Sequence, residues 1–462
     1  MKLKVTNLGV LGNAEIDLSK RINLFFGENG TGKTYISYLV YAVASMNGSF
    51  PIRDVELVEN GFSFKVSEDQ LESARKYLCE MVLDDLPIIF GIGKNRNNSL
   101  FKNTRLEILA PKNFYQDFVS KAGEIPFDLG LFSGLARKKP DSSILTILQE
   151  SFTEKESGWT LGTVSRFAAK EILKKLATSP ITTSTIFPVE RNSVYTFSKE
   201  LSVRRNEILD ELQGLSMTKG NAREFTRLGE RTTRYPKPIR DALRVAEDLE
   251  NISKSNSFLF DLAVSMEREL LGGGVKTSKD GQVEFVSLRA PKLSLSIHQS
   301  SSIVKTLASL IIYLKHRATR EDLVIIDEPE LNLHPKAQIL LTRYIVRMAK
   351  AGLRFIISTH SDYIVREFNN LMMLHSKKED HEQRKIGIEL GYAETDVDGL
   401  DPIDVGALYF SFPSEDEEKA IATAIPVDEF GVEVSSFDET ITALNRVSDE
   451  LYYAKKYGKV HS

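Results

Sequence analysis

The sequence predicts an α/β fold in which a mixed sheet is flanked by helices, and three observations support this prediction. An apolar run at 22–26 leads into a glycine-rich segment, and residues 35–45 continue with apolar side chains at helical spacing. Two further apolar runs, 323–326 and 355–357, end in polar residues, as central parallel strands do. Residues 1–18 contain alternating segments that predict short antiparallel strands at the N-terminus.

The glycine-rich segment Gly27–Thr34 reads G-E-N-G-T-G-K-T and fits the phosphate-binding pattern G-x-x-x-x-G-K-[ST]. Its glycines allow backbone N–H groups to close around the phosphates of a nucleotide. Lys33 would place its charge on those phosphates, and Thr34 would offer its hydroxyl to Mg²⁺. The alternative is a glycine-rich turn with an incidental lysine, which the flanking strand and helix disfavour. The predicted nucleotide-binding residues are Gly27, Asn29, Gly30, Thr31, Gly32, Lys33 and Thr34, with ATP and Mg²⁺ as cofactors.

The acid pair Asp327-Glu328 directly follows the apolar run Leu323–Ile326. If that run is a central parallel strand, both acids lie at the carboxyl edge of the sheet, where α/β folds bind ligands. Asp327 is then the predicted Mg²⁺ ligand, and Glu328 is the predicted general base that polarises the attacking water. An apolar run that ends in two acids is also a common strand exit, so the assignment depends on the phosphate loop in the same chain.

The third apolar run, Phe355–Thr359, ends at His360. A lone histidine is more often structural than functional. This one follows the acid pair by about one strand–helix–strand unit, so the two segments should end at the same edge of the sheet. We therefore predict that His360 lies beside the γ-phosphate and senses it.

Composition excludes several classes of protein. The chain has 462 residues, of which 42% are hydrophobic and 27% are charged, as in ordinary globular proteins. The formal net charge of -4 gives no overall basic footprint for nucleic acid, although a local patch stays open. A single cysteine, Cys79, excludes an intrachain disulfide framework and is expected to be a core thiol. Since no apolar run approaches the roughly 18 residues of a membrane span, we expect a cytoplasmic protein without membrane contact.

The motifs divide the chain into parts of different character. The predicted parts are 1–50 with the phosphate loop, 51–184 as a mixed region of core and inserted lobe, 185–257 as a helical insertion, 258–375 with the remaining motifs, and 376–462 as a tail or subdomain. Within the helical insertion, charge-rich helices are expected at 198–215 and 239–252. The basic run Arg223–Lys237 between them is either a solvated loop or a contact for nucleic acid or a partner.

In this order the three motifs resemble those of the ABC-type ATPases of the SMC and RecF group. The segment Asp327–Pro335 reads D-E-P-E-L-N-L-H-P and is similar to the hallmark of the branch that includes the overcoming-lysogenisation-defect (OLD) ATPases. Pro188–Arg191 resembles the P-A-E-R element of this branch, with valine in place of alanine, and Thr359–Tyr363 resembles its T-H-S-x-x segment. Bacterial relatives include the ATPase subunits of phage-defence pairs such as Septu, Gabija and PARIS.

The resemblance implies an ABC-type head built from about 1–50 and 185–375, with an inserted, mostly helical lobe. It also implies that ATP lies between two heads, where one head provides the phosphate loop and the other provides the N-terminus of a signature helix. The N–H groups and the dipole at that helix end favour the γ-phosphate. The candidate residues are Ser300, Ser301 and Ser302, which also fit a serine-rich helix cap. ABC proteins usually carry a glycine where Ser302 stands.

Two further features of the family have no firm counterpart. The glutamine that senses Mg²⁺ has only weak candidates, Gln70 and Gln116. OLD-type proteins also carry a metal-dependent Toprim nuclease, which needs a glutamate and a D-x-D motif. Asp396 and Asp398 form the tempting match, but they lie in a polar segment with only 64 residues, 399–462, after it. We therefore expect a separate partner to carry the effector chemistry.

Three functional hypotheses follow from the resemblance. The first is a Mg²⁺-dependent ATPase that forms a homodimer or higher oligomer, restrains a separate effector nuclease or toxin, and responds to a phage protein. The second is a DNA-repair ATPase similar to RecF, in which DNA stimulates hydrolysis. The third is an autonomous OLD-like nuclease that uses Asp396 and Asp398.

Overall fold

A computed structural model of the chain describes residues 1–46, 52, 55–59, 61–92, 99–129, 132–148, 152–154, 161–197, 235–278, 281–375, 381–414, 416–433 and 435–457. Two predictions, the helix at 198–215 and most of the basic run that starts at Arg223, lie outside these residues. The predicted helix at 239–252 lies inside them and is confirmed as two helices, Lys237–Glu247 and Leu249–Ile252.

The strands are numbered here along the chain. They are β1 (Lys2–Leu8), β2 (Leu11–Asp17), β3 (Ile22–Gly27), β4 (Val55–Val58), β5 (Gly61–Lys65), β6 (Arg105–Leu109), β7 (Gly123–Asp128), β8 (Phe132–Lys138), β9 (Ile144–Leu148), β10 (Phe152–Glu154), β11 (Ser184–Phe187), β12 (Gly273–Thr277), β13 (Val283–Ser287), β14 (Ser294–Ser296), β15 (Leu323–Asp327), β16 (Arg354–Ser358), β17 (Val405–Ser411), β18 (Ala420–Ile425), β19 (Val427–Asp428) and β20 (Gly431–Val432).

The helices are numbered in the same way. They are α1 (Lys33–Ser45), α2 (Glu68–Ile89), α3 (Phe114–Ser120), α4 (Leu161–Ala177), α5 (Lys237–Glu247), α6 (Leu249–Ile252), α7 (Phe260–Leu271), α8 (Ser302–His316), α9 (Pro335–Ala351), α10 (Asp362–Met373), α11 (His381–Glu389) and α12 (Ser435–Tyr457).

One nine-stranded mixed sheet organises the fold, in the order β11-β15-β16-β3-β17-β18-β2-β1-β6. The five strands from β11 to β17 run parallel. The N-terminal strand β1 pairs antiparallel with both β2 and β6. This layout confirms the predicted α/β class, with a mixed sheet and antiparallel N-terminal strands. It also brings the carboxyl ends of β3, β15 and β16 to one edge.

Both faces of the parallel region are buried. Successive residues of each strand point to opposite sides of the sheet, so they join two different clusters. On one face, Phe25 and Ile325 join a cluster that includes apolar residues of α1 and α2. On the other face, Leu24 and Ile326 join a cluster that includes residues of α8, α9 and α10. Helices therefore cover the sheet on both sides, and the functional residues are left at its edge.

Residues 51–184, predicted as a mixed region of core and inserted lobe, contain more strand than a mostly helical lobe would have. Their described part contains a separate six-stranded sheet, in the order β10-β8-β9-β5-β4 with β7 paired to β8. These strands are short, from three to seven residues. Most of them pair with a neighbour in sequence, and β5 also pairs with the distant β9. Short apolar runs carry no clear period on their own, so the sequence pattern alone was ambiguous.

Residues 376–462, predicted as a tail or subdomain, include two strands of the main sheet. Strand β17 lies next to β3 in the main sheet, and β18 connects β17 to β2. The pairing places Phe410 opposite Gly27, the first residue of the phosphate loop. Residues 405–425 therefore contribute directly to the sheet that supports the predicted nucleotide site.

Candidate functional site

The predicted site lies where the parallel strands end. Asp327 is the last residue of β15 and pairs in register with Ser358, the last residue of β16. Ser358 in turn pairs with Phe25, two residues before the phosphate loop. The sheet register therefore brings the loop, the acid pair and the segment before His360 to one edge.

The phosphate loop has the backbone geometry that its glycines predict. Gly27 adopts a φ of 126°, and a Cβ at this position would lie 2.0 Å from the carbonyl oxygen of Phe410, so only glycine fits beside β17. Gly30 adopts a φ of 77° and has open space where a Cβ would be, as a cradle for phosphate requires. Helix α1 begins after Gly32 without a side-chain cap, so its first N–H groups are available to an anion.

Lys33 lies inside this loop and contacts its backbone. The Nζ atom donates to the carbonyl oxygens of Gly27 at 2.9 Å and Glu28 at 2.6 Å. Burial lowers the pKa of Lys33 to about 8, although the carboxylates of Asp327 and Glu328 oppose this shift. A bound triphosphate would favour the charged form, since it brings negative charge to a buried ammonium group.

The remaining loop residues divide into structural and exposed groups. The Thr31 hydroxyl donates to the carbonyl oxygen of Glu28 at 2.7 Å and holds the turn closed. Asn29 and Thr34 are exposed, so the Thr34 side chain is accessible for its predicted role as a Mg²⁺ ligand.

The Asp327 carboxylate has one partnered and one unpartnered oxygen. The Ser358 hydroxyl donates to Oδ1, while Oδ2 is buried without a hydrogen-bond partner among the described residues. A buried carboxylate oxygen without a partner is costly unless a cation or a water molecule occupies the adjacent position. Oxygen ligands also suit Mg²⁺. Asp327 therefore fits the predicted role of a Mg²⁺ ligand, together with Thr34.

Glu328 occupies an unusual backbone conformation for its residue type. Its φ is 49°, in the left-handed region that favours glycine, and its N–H donates to the carbonyl oxygen of Ser358 at 2.9 Å. The residue is half-buried at the sheet edge, beside the buried end of β15. Non-glycine residues that keep a positive φ are often found at functional sites.

Glu330 connects the acid pair to the histidine segment, a role that the sequence analysis did not assign. Its carboxylate accepts from the Thr359 hydroxyl at 2.9 Å and from the His360 N–H at 2.7 Å. Burial raises the pKa of Glu330, and these hydrogen bonds oppose the rise. The sequence did contain a sign of this role, because Glu330 is the second glutamate of the D-E-P-E motif.

His360 lies at the site edge, half-buried. Burial lowers its pKa, and the nearby charge of Lys33 lowers it further. The imidazole is therefore neutral near pH 7 and suited to hydrogen bonding rather than to carrying charge. The N–H of the preceding residue, Thr359, donates to the carbonyl oxygen of Phe25 at 3.0 Å, so the histidine segment lies beside the strand that leads into the phosphate loop.

Arg191 was noted in the sequence only as part of a motif. In the structure it contacts the backbone of the acid pair rather than its carboxylates. Its Nη1 atom donates to the carbonyl oxygens of Asp327 at 2.6 Å and Pro188 at 3.1 Å, and Nη2 donates to that of Glu328 at 2.6 Å. The side chain is 3% exposed. Burial lowers its pKa to about 10, so the guanidinium stays charged at neutral pH.

The serine cluster lies at the start of α8. Ser301 is the N-cap residue and Ser302 the first helical residue, and both are exposed. The Ser301 side chain makes no capping hydrogen bond, which leaves the N–H groups of the first turn uncapped. Ser300 is buried, and its hydroxyl donates to the carbonyl oxygen of Ser296 at 3.0 Å, so it is a structural residue.

Several other candidates have structural roles. Gln70 completes a capping box with Ser67 at the start of α2, and Gln116 is exposed on the short helix α3. Neither glutamine belongs to an element of the site edge, so the Mg²⁺-sensing glutamine stays unassigned. Burial raises the pKa of Cys79 to about 11, as expected for a core thiol.

The candidate nuclease aspartates are both paired with arginines. Asp396 is buried, and its two carboxylate oxygens accept from Arg347 at 2.7 Å each. Asp398 accepts from Arg384. Among the described residues there is also no group of three or more His, Cys, Asp or Glu side chains that could hold a metal ion. These contacts give no support to a Toprim site at this position.

A phosphate loop facing an acid pair at the carboxyl edge of a parallel sheet defines a class, the P-loop ATPases. Within that class, the chain belongs to the AAA ATPase domain family, whose model matches residues 1–365. In the part of the chain that the structure describes, no helix has the length and apolar character needed to cross a bilayer.

Individual relatives are more distant. The DNA replication and repair protein RecF of Geobacter sp. (strain M21) is 33% identical over 72 residues, which are 16% of this chain and 20% of that protein. The chain thus matches about one fifth of the length of this curated relative.

Three solved SMC heads align with this chain over most of their length, but with low sequence identity and low TM-scores. The Smc head bound to the C-winged helix domain of ScpA has 12% identity and a TM-score of 0.36, over 92% of this chain and 98% of that chain. The Smc head with an extended coiled coil from Pyrococcus furiosus has 12% identity and a TM-score of 0.34, over 97% of this chain and 98% of that chain. The SMC head domain from Thermotoga maritima has 9% identity and a TM-score of 0.31, over 92% of this chain and 98% of that chain. Family membership therefore rests on the domain match.

Proposed function

We propose that the chain hydrolyses ATP to ADP and phosphate with Mg²⁺, between two copies of the head. The observation that supports this most is the Asp327 carboxylate, whose buried Oδ2 lacks a partner among the described residues beside the phosphate loop. The loop N–H groups and Lys33 would bind the phosphates, and Thr34 and Asp327 would hold Mg²⁺. When bound, Mg²⁺ neutralises charge on the β- and γ-phosphates.

The other residues of the edge act on the attacking water and the γ-phosphate. Glu328 accepts the proton of the water as general base. His360, whose backbone N–H is held by Glu330, donates a hydrogen bond from its ring to the γ-phosphate. The serine cluster of the second copy closes the site with its uncapped N–H groups, so ATP binding and association of two copies depend on each other.

At the level of the organism, we propose that the ATPase is the subunit of a cytoplasmic anti-phage complex that restrains a separate nuclease or toxin. This part of the proposal depends on the D-E-P-E-x-x-L-H-P resemblance and on the arginine pairing of Asp396, which favours effector chemistry on another chain. Co-expression with the products of neighbouring genes tests it. We expect a complex that a phage protein disrupts, and a Glu328→Gln variant that no longer protects cells. Unchanged protection by that variant would contradict the ATPase role in defence.

A DNA-repair ATPase is the second candidate, favoured by the 72-residue match to RecF. Duplex DNA added to the purified chain distinguishes the two candidates. Salt-sensitive binding with stimulated hydrolysis would favour repair, because phosphate contacts weaken as salt rises. Hydrolysis that is indifferent to DNA would favour the defence complex.

A further inference from the structure

The hydrogen bonds of Arg191 are unusual for a buried charged side chain, because they go to the backbone although carboxylates that include Asp327 and Glu328 are near enough to favour its charge. In the described part of the chain, its hydrogen bonds all go to carbonyl oxygens, those of Pro188, Asp327 and Glu328. Burying a guanidinium is costly, and such groups are normally paired with a carboxylate. The carbonyls that it holds belong to both members of the acid pair.

The two carbonyls lie on either side of the Glu328 Cα atom. The Asp327 carbonyl belongs to the peptide before this atom, and the Glu328 carbonyl belongs to the peptide after it. Fixing both oxygens with one planar group fixes the φ and ψ angles between them, and hence the direction of the Glu328 side chain. The observed φ of 49° is one that glutamate rarely adopts without such constraint.

Arg191 comes from a neighbouring element rather than from the acid-pair loop itself. It follows β11, which pairs in parallel with β15 from Ser184–Leu323 to Phe187–Ile326. Its own N–H donates to the Pro188 carbonyl at 3.0 Å, which closes the turn after β11. The guanidinium thus ties the ends of two adjacent parallel strands together at the site edge.

We propose that Arg191 is a positioning residue for ATP hydrolysis, which holds Glu328 in its left-handed conformation and aims its carboxylate at the attacking water. This inference rests on the proposed function, because Arg191 acts through Glu328 and the role of Glu328 as general base is itself proposed. A single ammonium group cannot reproduce the planar fork that reaches both carbonyls. Arginine is therefore required here for its shape as well as its charge.

Arg354 provides a matched control. It is also a buried arginine that holds backbone carbonyls, those of Ser19 at 3.0 Å and Lys20 at 3.3 Å, and it pairs with Glu321. It lies at the opposite end of the sheet, at the first residue of β16. Replacing it disturbs the fold in a comparable way without touching the site.

The experiment compares Arg191→Ala, Arg191→Lys, Arg354→Ala, Glu328→Gln and the double variant Arg191→Ala/Glu328→Gln. ATP affinity, kcat and thermal stability are measured for each. For Arg191→Ala we expect kcat to fall by roughly 30-fold or more while ATP affinity changes by less than about 3-fold. Arg191→Lys should recover part of kcat, and Arg354→Ala should lose stability but keep kcat within about 3-fold.

The double variant is decisive because it separates positioning from general damage. If Arg191 acts through Glu328, the double variant turns over no more slowly than Glu328→Gln alone. An equal further loss in the double variant would overturn the proposal, as would a wild-type kcat in Arg191→Ala. If Arg191→Ala does not fold, Arg191→Lys in both backgrounds gives the same comparison. Full turnover by Glu328→Gln would instead overturn the proposed role of Glu328.

Discussion

The two predicted halves of the nucleotide site differ sharply in how they are built. At the phosphate-loop edge, Lys33 and Asp327 are buried and hydrogen-bonded within the chain, Lys33 to the loop backbone and Asp327 to Ser358. The N-terminus of α8 is exposed, and Ser301 makes no capping hydrogen bond there. One half is therefore assembled within a single chain, while the other presents polar groups without a local partner.

This difference supports a site that is completed by a second chain. Helix N-termini in folded proteins normally have a side-chain cap, water or a ligand at their first N–H groups. A γ-phosphate bound to another copy would supply that ligand for α8. The two halves are also connected, because the Asn332 side chain, in the loop after the acid pair, donates to Thr306 of α8 at 3.3 Å. A direct contact thus joins α8 to the loop that follows Glu328.

The largest effect is expected for Lys33→Ala, which removes the positive charge of the phosphate loop. ATP affinity should fall by at least roughly 100-fold, because charge-assisted contacts to phosphate are lost. Isothermal titration with ATP and Mg²⁺ measures this. The control is Lys65→Ala, an exposed lysine of β5. Unchanged ATP affinity in Lys33→Ala would contradict the assignment of the loop.

Glu328→Gln should lower turnover to a small but measurable residual rate and retain ATP. A general base contributes roughly 100- to 10,000-fold to rate, and the amide keeps the shape of the side chain without accepting the proton. Phosphate release and ATP binding are measured on the same preparation, with the exposed Glu389→Gln as control. Undiminished phosphate release would remove Glu328 as the base.

Ser301→Arg tests the exposed half of the site. A long side chain at the helix end should block approach of the second copy, and turnover should fall on the order of 100-fold while a single chain still binds ATP. Ser301→Ala is the matched control, since it keeps the backbone N–H groups and should keep most of the turnover. Persistent hydrolysis by Ser301→Arg would mean that the signature helix lies elsewhere.

The smallest effect is expected for Glu330→Gln. The amide oxygen can still accept from either Thr359 or His360, but not from both in the same way. Turnover should fall by roughly 3- to 10-fold, the equivalent of one weakened hydrogen bond, with little change in ATP affinity. A comparison of kcat with KM checks this. Wild-type kcat would show that the position of His360 does not depend on Glu330.

The sequence predicted the parts of the site that follow from a motif and a strand end. Gly27, Lys33 and Asp327 occur in segments whose structure depends on local pattern, and the parallel register then brought them together. The contact of Arg191 with the acid pair depends on the pairing of β11 with β15, which joins segments about 140 residues apart. No local pattern encodes such a contact.

The strand β17 was missed for a related reason. Its alternating residues Val405–Ser411 form a strand signal, but nothing in the local pattern indicates that its partner is β3 at the other end of the chain. The inserted sheet of β4, β5 and β7–β10 was missed because short strands are stabilised by their neighbours rather than by their own period. The sequence therefore does not reveal contacts between segments that are far apart in the chain, such as the pairing of β17 with β3.

The most direct measurement is the mass in solution of Glu328→Gln with and without ATP and Mg²⁺, by sedimentation velocity. We predict a single chain without nucleotide and a pair of chains with it, and we predict that adding Ser301→Arg to the same variant abolishes the pair but not ATP binding. If the doubly substituted chain still pairs on ATP addition, or if Glu328→Gln binds ATP and stays single, the serine cluster does not close the nucleotide site of a second copy.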